Sequence, residues 1–200
     1  ASIIQGLNNV ISDQVEKIGS NVFFVTRETF EFGRPSEEIR KRKFLRYEDA
    51  VAIRENCPHV KETTIMLTRA PIQGDSTTVK FRNKTLDNPF IRGAESNFDE
   101  VLPAFGIKEG RFLTEYEDSH AHGVCIIGQK VKDSLFPNID SIGREIILGN
   151  QRLRVIGIFE KDSGMFGGPG VDDFVVIPYQ TFRKFWPENK DNVMLMMVNN

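Results

Sequence analysis

The 200-residue chain has two cysteines, Cys57 and Cys125, and no CxxC spacing, so a dithiol redox motif or thiolate metal knuckle is excluded. No spacing rule supports a bridge between them, and Cys125, inside the apolar run GVCIIG, reads as a small buried thiol. Nowhere does it approach the roughly 20 consecutive apolar residues that cross a bilayer. With a mean hydropathy of -0.31, this stretch by itself does not span a membrane. A basic segment leading into an apolar one, the mark of a signal peptide, is absent, as is an initiator Met. Excess positive charge is missing too: 26 Lys and Arg against 28 Asp and Glu leave a formal charge of -2, which argues against a nucleic-acid partner.

What is present is ordinary for a globular chain: 40% hydrophobic and 27% charged residues, with 16 Phe against 3 Tyr and 1 Trp. The length suits one large or two small domains with a real core. ASIIQGLNNVISDQVEKIG places Ile3, Ile4, Leu7, Val10, Ile11, Val15 and Ile18 on one face of a helix. That helix starts at residue 1 with no capping residue ahead of it, as if cut from a longer protein.

After Gly19, NVFFVTRE reads as a buried strand, RPSEEIRKRKF as a polar loop, and YEDAVAIREN as a short helix with Val51 and Ile53 inward, stopped by Pro58. VKETTIMLTRAPI and STTVKFRNKTL read as two strands, an order that suits an α+β sandwich with helices on one side of a sheet. Beyond Pro89 come FIRGAES (strand), NFDEVLPAF (helix), GIKEGRFLTEYED (turn-rich link) and GVCIIGQKV, a strand entering the helix QKVKDSLFP. SIGREIILGNQRLRVIGIFEK holds two strands around GNQ, and DSGMFGGPGVDD reads as a hairpin tip before DDFVVIP. The helix YQTFRKFW and the strand NVMLMMVNN close the chain.

The ordered set EGRFLTEYED, GVCIIGQKV, LFPN, SIGREIIL, LRVIGIFE and DDFVVIPY resembles the extracytoplasmic domain of MacB-like, FtsX-type ABC transporter permeases. The resemblance covers nearly the whole chain and implies an α+β fold of two lobes. Residues 1–19 would be a juxtamembrane stalk helix, 20–86 plus 190–200 a porter-like lobe, and 87–189 an inserted β-rich, Sabre-like lobe. The family continues past the final strand with a further helix and strand, so the porter-like lobe would be incomplete at Asn200. The resemblance further implies a non-enzymatic domain outside the cytoplasmic membrane, periplasmic or at the cell surface. It carries no cofactor of its own, because ATP would be hydrolysed on a separate cytoplasmic domain or subunit. The implied partners are the permease's transmembrane helices, that ATPase, a second permease copy and, where export crosses an outer membrane, a periplasmic adaptor protein. Ile3, Leu7, Val10, Ile11 and Ile18 would carry motion along the stalk, and Met165 and Phe166 would meet a partner.

The residues themselves offer little chemistry. The glycine loop lacks the Gly-Lys-Ser/Thr ending of a P-loop and carries Asp172 and Asp173 where phosphate would sit. There is no GxSxG elbow. TEYEDSHAH is the strongest metal candidate, because His120 and His122 on an extended segment would point both imidazoles one way, beside Glu115, Glu117 and Asp118. A metal-dependent hydrolase built there is the competing reading, while solvated loop and turn-capping carboxylates is the plainer one. A small ligand held in a cleft between the lobes is compatible with the permease reading. The basic run RKRKFLR, Arg40 to Arg46, reads as a solvated face diluted by flanking acids.

Overall fold

A computed structural model describes residues 21–27, 37–69, 77–103, 105–161, 170–190 and 192–199. Strands β1 (Val22–Val25), β2 (Val60–Arg69), β3 (Thr78–Phe81), β4 (Lys84–Asp87), β5 (Phe90–Ala94) and β6 (Ile107–Gly110) come from the first part of the chain. β7 (Val124–Ile127), β8 (Glu145–Leu148), β9 (Gln151–Phe159), β10 (Phe174–Pro178) and β11 (Asn192–Val198) follow. The helices are α1 (Glu37–Lys41), α2 (Tyr47–Asn56), α3 (Phe98–Val101), α4 (Glu115–Ser119), α5 (Gln129–Leu135) and α6 (Tyr179–Phe185), with a 3-10 turn at Val171–Asp173.

The described strands form one sheet, ordered β1-β11-β2-β5-β10-β7-β9-β8-β3-β4, with β6 beside the later half of β9. Its central strands have no polar face: all residues of VCII in β7 and of FVVIP in β10 are buried. Such runs require cover on both sides. One layer gathers Ala50, Ile65, Leu67, Ile127, Leu135, Tyr179 and Phe182, so α2, α5 and α6 lie on that face. The other holds Met66, Phe98, Val101, Phe112, Ile126, Phe174 and Leu195, with α3 and aromatic-rich connections as its cover. Helices therefore occupy both faces, because the hydrophobic runs leave no solvated side.

Several expectations are corrected. STTVKFRNKTL is not one strand but the β3–β4 hairpin, turned at Arg82, whose φ of 52° a non-glycine residue seldom adopts. RPSEEIRKRKF contains helix α1, and the link GIKEGRFLTEYED contains β6 and α4. The strands on either side of DSGMFGGPGVDD do not pair as a hairpin, since β7 lies between β9 and β10, parallel to the first and antiparallel to the second, and residues 162–169 lie outside the described residues. In α2 the core contacts come from Ala50, Ile53 and Tyr47 rather than Val51. β3 pairs with β8 and β4 with β3, at the sheet end remote from β1, β11 and β2.

β1 and β11 run antiparallel, Val22 opposite Met197. Beyond them, Val198 N–H donates to Asn21 O at 2.9 Å and Asn21 Nδ2 donates to Val198 O at 3.0 Å. The first and last described segments therefore leave the sheet side by side.

Candidate functional site

The TEYEDSHAH segment is neither extended nor a solvated loop. Thr114 and Glu117 form a reciprocal cap at the start of α4: the Glu117 carboxylate accepts from Thr114 N–H at 3.0 Å and the Thr114 hydroxyl accepts from Glu117 N–H at 3.3 Å. Arg111 grips the same carboxylate with two prongs, at 2.8 and 2.7 Å. These bonds, Arg111 first, hold the Glu117 pKa down to about 2. The capping role expected for this pair is present, but both carboxylates are buried.

Asp118 caps a different helix. α6 begins after Pro178, which offers no side-chain cap. Instead Asp118 Oδ1 accepts from Gln180 N–H at 3.1 Å across 62 residues of sequence, and the N–H groups of Tyr179 and Ser96 also reach its carboxylate. Burial, followed by repulsion from Glu95, pushes its pKa up to about 6 against those hydrogen bonds. The Thr181 hydroxyl completes the joint by donating to His122 O at 2.8 Å.

Glu95, only 5% exposed at the end of β5, accepts from Ile65 N–H at 2.8 Å. Arg54 of α2 lies 3.5 Å from it and 2.6 Å from Glu62, and also donates to Thr63 O. The Tyr47 hydroxyl bonds to Glu95 as well. Burial raises the Glu95 pKa while Arg54 opposes the rise. This network ties α2, β2 and β5 together, with Asp118 extending it to α4 and α6. Its acceptors are used by backbone and arginine donors, so it fastens elements together; proton transfer to a substrate is not what this geometry offers.

The His120 and His122 rings do come within 6.1 Å, both packed on Tyr116, at 4.2 and 5.1 Å between centroids. A helix end followed by a turn at Ala121 (φ 48°) brings them there, not an extended strand. His120 Nδ1 lies 3.0 Å from both Tyr116 O and Ser119 Oγ. Among the described residues no group of three or more His, Cys, Asp or Glu is placed to hold a metal ion. Asp173 pairs with Lys130 at 2.6 Å at the start of β10. Arg46 turns back to Asp49 at 3.0 Å, and residues 41–44 stay exposed. Both cysteines are free, Cys57 exposed and Cys125 buried. Met165 and Phe166, and stalk residues Ile3, Leu7, Val10, Ile11 and Ile18, lie outside the described residues.

Sequence reasoning missed Glu95 and the cap that Asp118 gives to α6. The one available signal was negative: YQTFRKFW follows a proline, so its cap had to come from elsewhere.

Comparison with known proteins matches residues 1–199 to the MacB-like periplasmic core domain family. A pyoverdine export ATP-binding/permease protein, PvdT of Pseudomonas aeruginosa, is 26% identical over 96% of this chain and 27% of its own length. The Pseudomonas fluorescens PvdT is 30% identical over 74% of this chain and 22% of its own length. A macrolide export ATP-binding/permease protein, MacB of Nitrosomonas europaea, is 24% identical over 91% and 26%. The chain thus spans about a quarter of the length of these curated relatives. Among solved structures, the periplasmic region of MacB from Actinobacillus actinomycetemcomitans superposes with a TM-score of 0.74 at 18% identity, covering 93% of this chain and 78% of that one. The extracellular domain of the ABC-type transporter YknZ from Gram-positive bacteria gives 0.64 at 18% identity, over 90% and 82%. The match along the chain and the shared α+β fold agree: this chain belongs to the MacB-like periplasmic core domain family.

Proposed function

We propose that the chain is the extracytoplasmic part of an ABC export permease and relays work from a cytoplasmic ATPase to a cargo outside the membrane. The observation that carries this reading is the pairing of β1 with β11, closed by the Asn21 to Val198 hydrogen bonds. A domain looped between two membrane helices needs its two connections together at one edge, and paired strands make them move as one body. The relatives named for pyoverdine and macrolide export support the transport assignment. No described helix is long and apolar enough to cross a membrane, so the crossing would belong to other parts of the parent protein. A permease dimer, and an adaptor meeting the Met165 and Phe166 loop, belong to the same proposal.

The relay would run along the helix that the apolar spacing from Ile3 to Ile18 predicts. Val10→Pro in the full-length transporter would remove a hydrogen bond of such a helix, at about 3 kcal/mol or more. Cargo export is expected to stop while ATP hydrolysis continues; undiminished export by this variant would overturn the relay.

A further inference from the structure

Beside the Glu117 cap stands a surface cluster that the transport reading leaves unused: Tyr116, His120 and His122, all exposed. The two imidazoles, 6.1 Å apart and inclined by 70°, are mounted on a backbone tied down at each step. His120 N–H donates to Tyr116 O at 3.2 Å, Ala121 N–H to Asp118 O at 3.0 Å and His122 N–H to Glu117 O at 2.9 Å. The His122 carbonyl accepts the Thr181 hydroxyl at 2.8 Å. Between the two histidines Ala121 holds φ at 48°, a left-handed conformation that costs energy in any residue with a side chain.

This mounting suits metal ligands. His120 Nδ1 lies 3.0 Å from Tyr116 O, which can only accept, so the ring proton is on Nδ1 and the Nε2 lone pair faces away from the helix. A backbone carbonyl orients ligating imidazoles in the same way elsewhere. Among the described residues the His122 ring makes no hydrogen bond, only its contacts with Tyr116 and His120. An ion lies about 2.1 Å from a ligating nitrogen, so two rings sharing one have centres about 4.5 to 6.4 Å apart, depending on the angle between them. The observed separation falls inside that range. Glu117 and Asp118 are spent on Arg111 and on backbone N–H groups, so no free base stands beside the pair, and binding rather than hydrolysis is the chemistry on offer. Imidazole nitrogens select late transition metals over magnesium and calcium, with copper the tightest of the series. We propose that His120 and His122 together bind one divalent late transition-metal ion, Cu2+ more tightly than Zn2+, with water in its remaining positions. Such an ion clips the end of α4 to the start of β7.

The test is a titration of the 200-residue chain carrying Cys57→Ser with ZnCl2 and then CuSO4, because the exposed Cys57 thiol next to His59 is a rival ligand. One equivalent of Zn2+ is expected to shift the imidazole NMR signals of His120 and His122 and to leave those of His59, the third and last histidine, in place. Zn2+ should also raise the thermal midpoint, and Cu2+ should displace it. His120→Gln and His122→Gln, at unchanged metal-free midpoints, are each expected to weaken Zn2+ binding about tenfold or more, the loss of an intramolecular second contact. Equal shifts at all three histidines, no saturation near one equivalent, or a weakening no greater in H120Q and H122Q than in His59→Gln would overturn the proposal. Where either variant has a lowered metal-free midpoint, the shift pattern of the Cys57→Ser chain decides.

Discussion

At Asp118, burial and backbone hydrogen bonds act on one proton in opposite directions, and burial wins, with a pKa near 6 against the usual 3.8. A carboxyl whose folded pKa is raised contributes its stability fully below the unfolded value and loses it as pH rises through the folded one. Chemical denaturation of the wild type and of Asp118→Asn at pH 3.5 and 7.5 should therefore show the wild type losing about 2 to 3 kcal/mol relative to the variant as pH rises. A difference that stays flat with pH would mean that Asp118 is solvated. The sequence exposed this carboxylate but not its task. Its partners, Gln180 and Glu95, come from distant segments, and no local pattern links them. His120 and His122 show the converse: the pair was visible, while whether a third ligand joins them depends on folding, and among the described residues none does.

At the scale of elements, α6 sits on β5 because Gly93 has no side chain. A Cβ built there would lie 2.4 Å from Phe182 Cβ, closer than packed carbons allow. Gly93→Ala must push α6 off the sheet, and about 1 to 3 kcal/mol of destabilisation is expected in urea unfolding. An unchanged midpoint would show that α6 shifts freely. Elements whose own residues dictate their state were legible: β2, β7 and β10 from their β-branched and apolar runs, and the β8–β9 hairpin from its glycine, Gly149, at φ 57°. The β3–β4 turn was not, because Arg82 occupies a conformation where glycine or asparagine would have marked the bend. β6 also escaped notice, since IKEG is polar and becomes a strand only through pairing with β9. The order of strands was illegible altogether: separating β9 from β10 by β7 depends on non-local register, which short-range periodicity does not encode.

For the whole molecule, the pairing of β1 with β11 makes a prediction independent of the stalk. Cysteines replacing Val22 and Met197, which face each other in the register, should form a disulfide without loss of fold. Closing so long a loop should stabilise the chain by about 4 to 5 kcal/mol in the chain-entropy account, read as a raised thermal midpoint under oxidising conditions. In the full transporter, the same staple should leave export intact; export lost on oxidation and restored by reduction would show that the two connections must separate.

β11 fills the slot between β1 and β2, and that placement governs biogenesis. A chain delivered N-terminus first presents β2 with one open edge until residues 192–198 emerge, more than a hundred residues later. At synthesis rates of roughly 5 to 20 residues per second, that edge waits on the order of ten seconds, the time in which a neighbouring copy could pair with it instead. Closure of this edge of β2 is thus timed by β11.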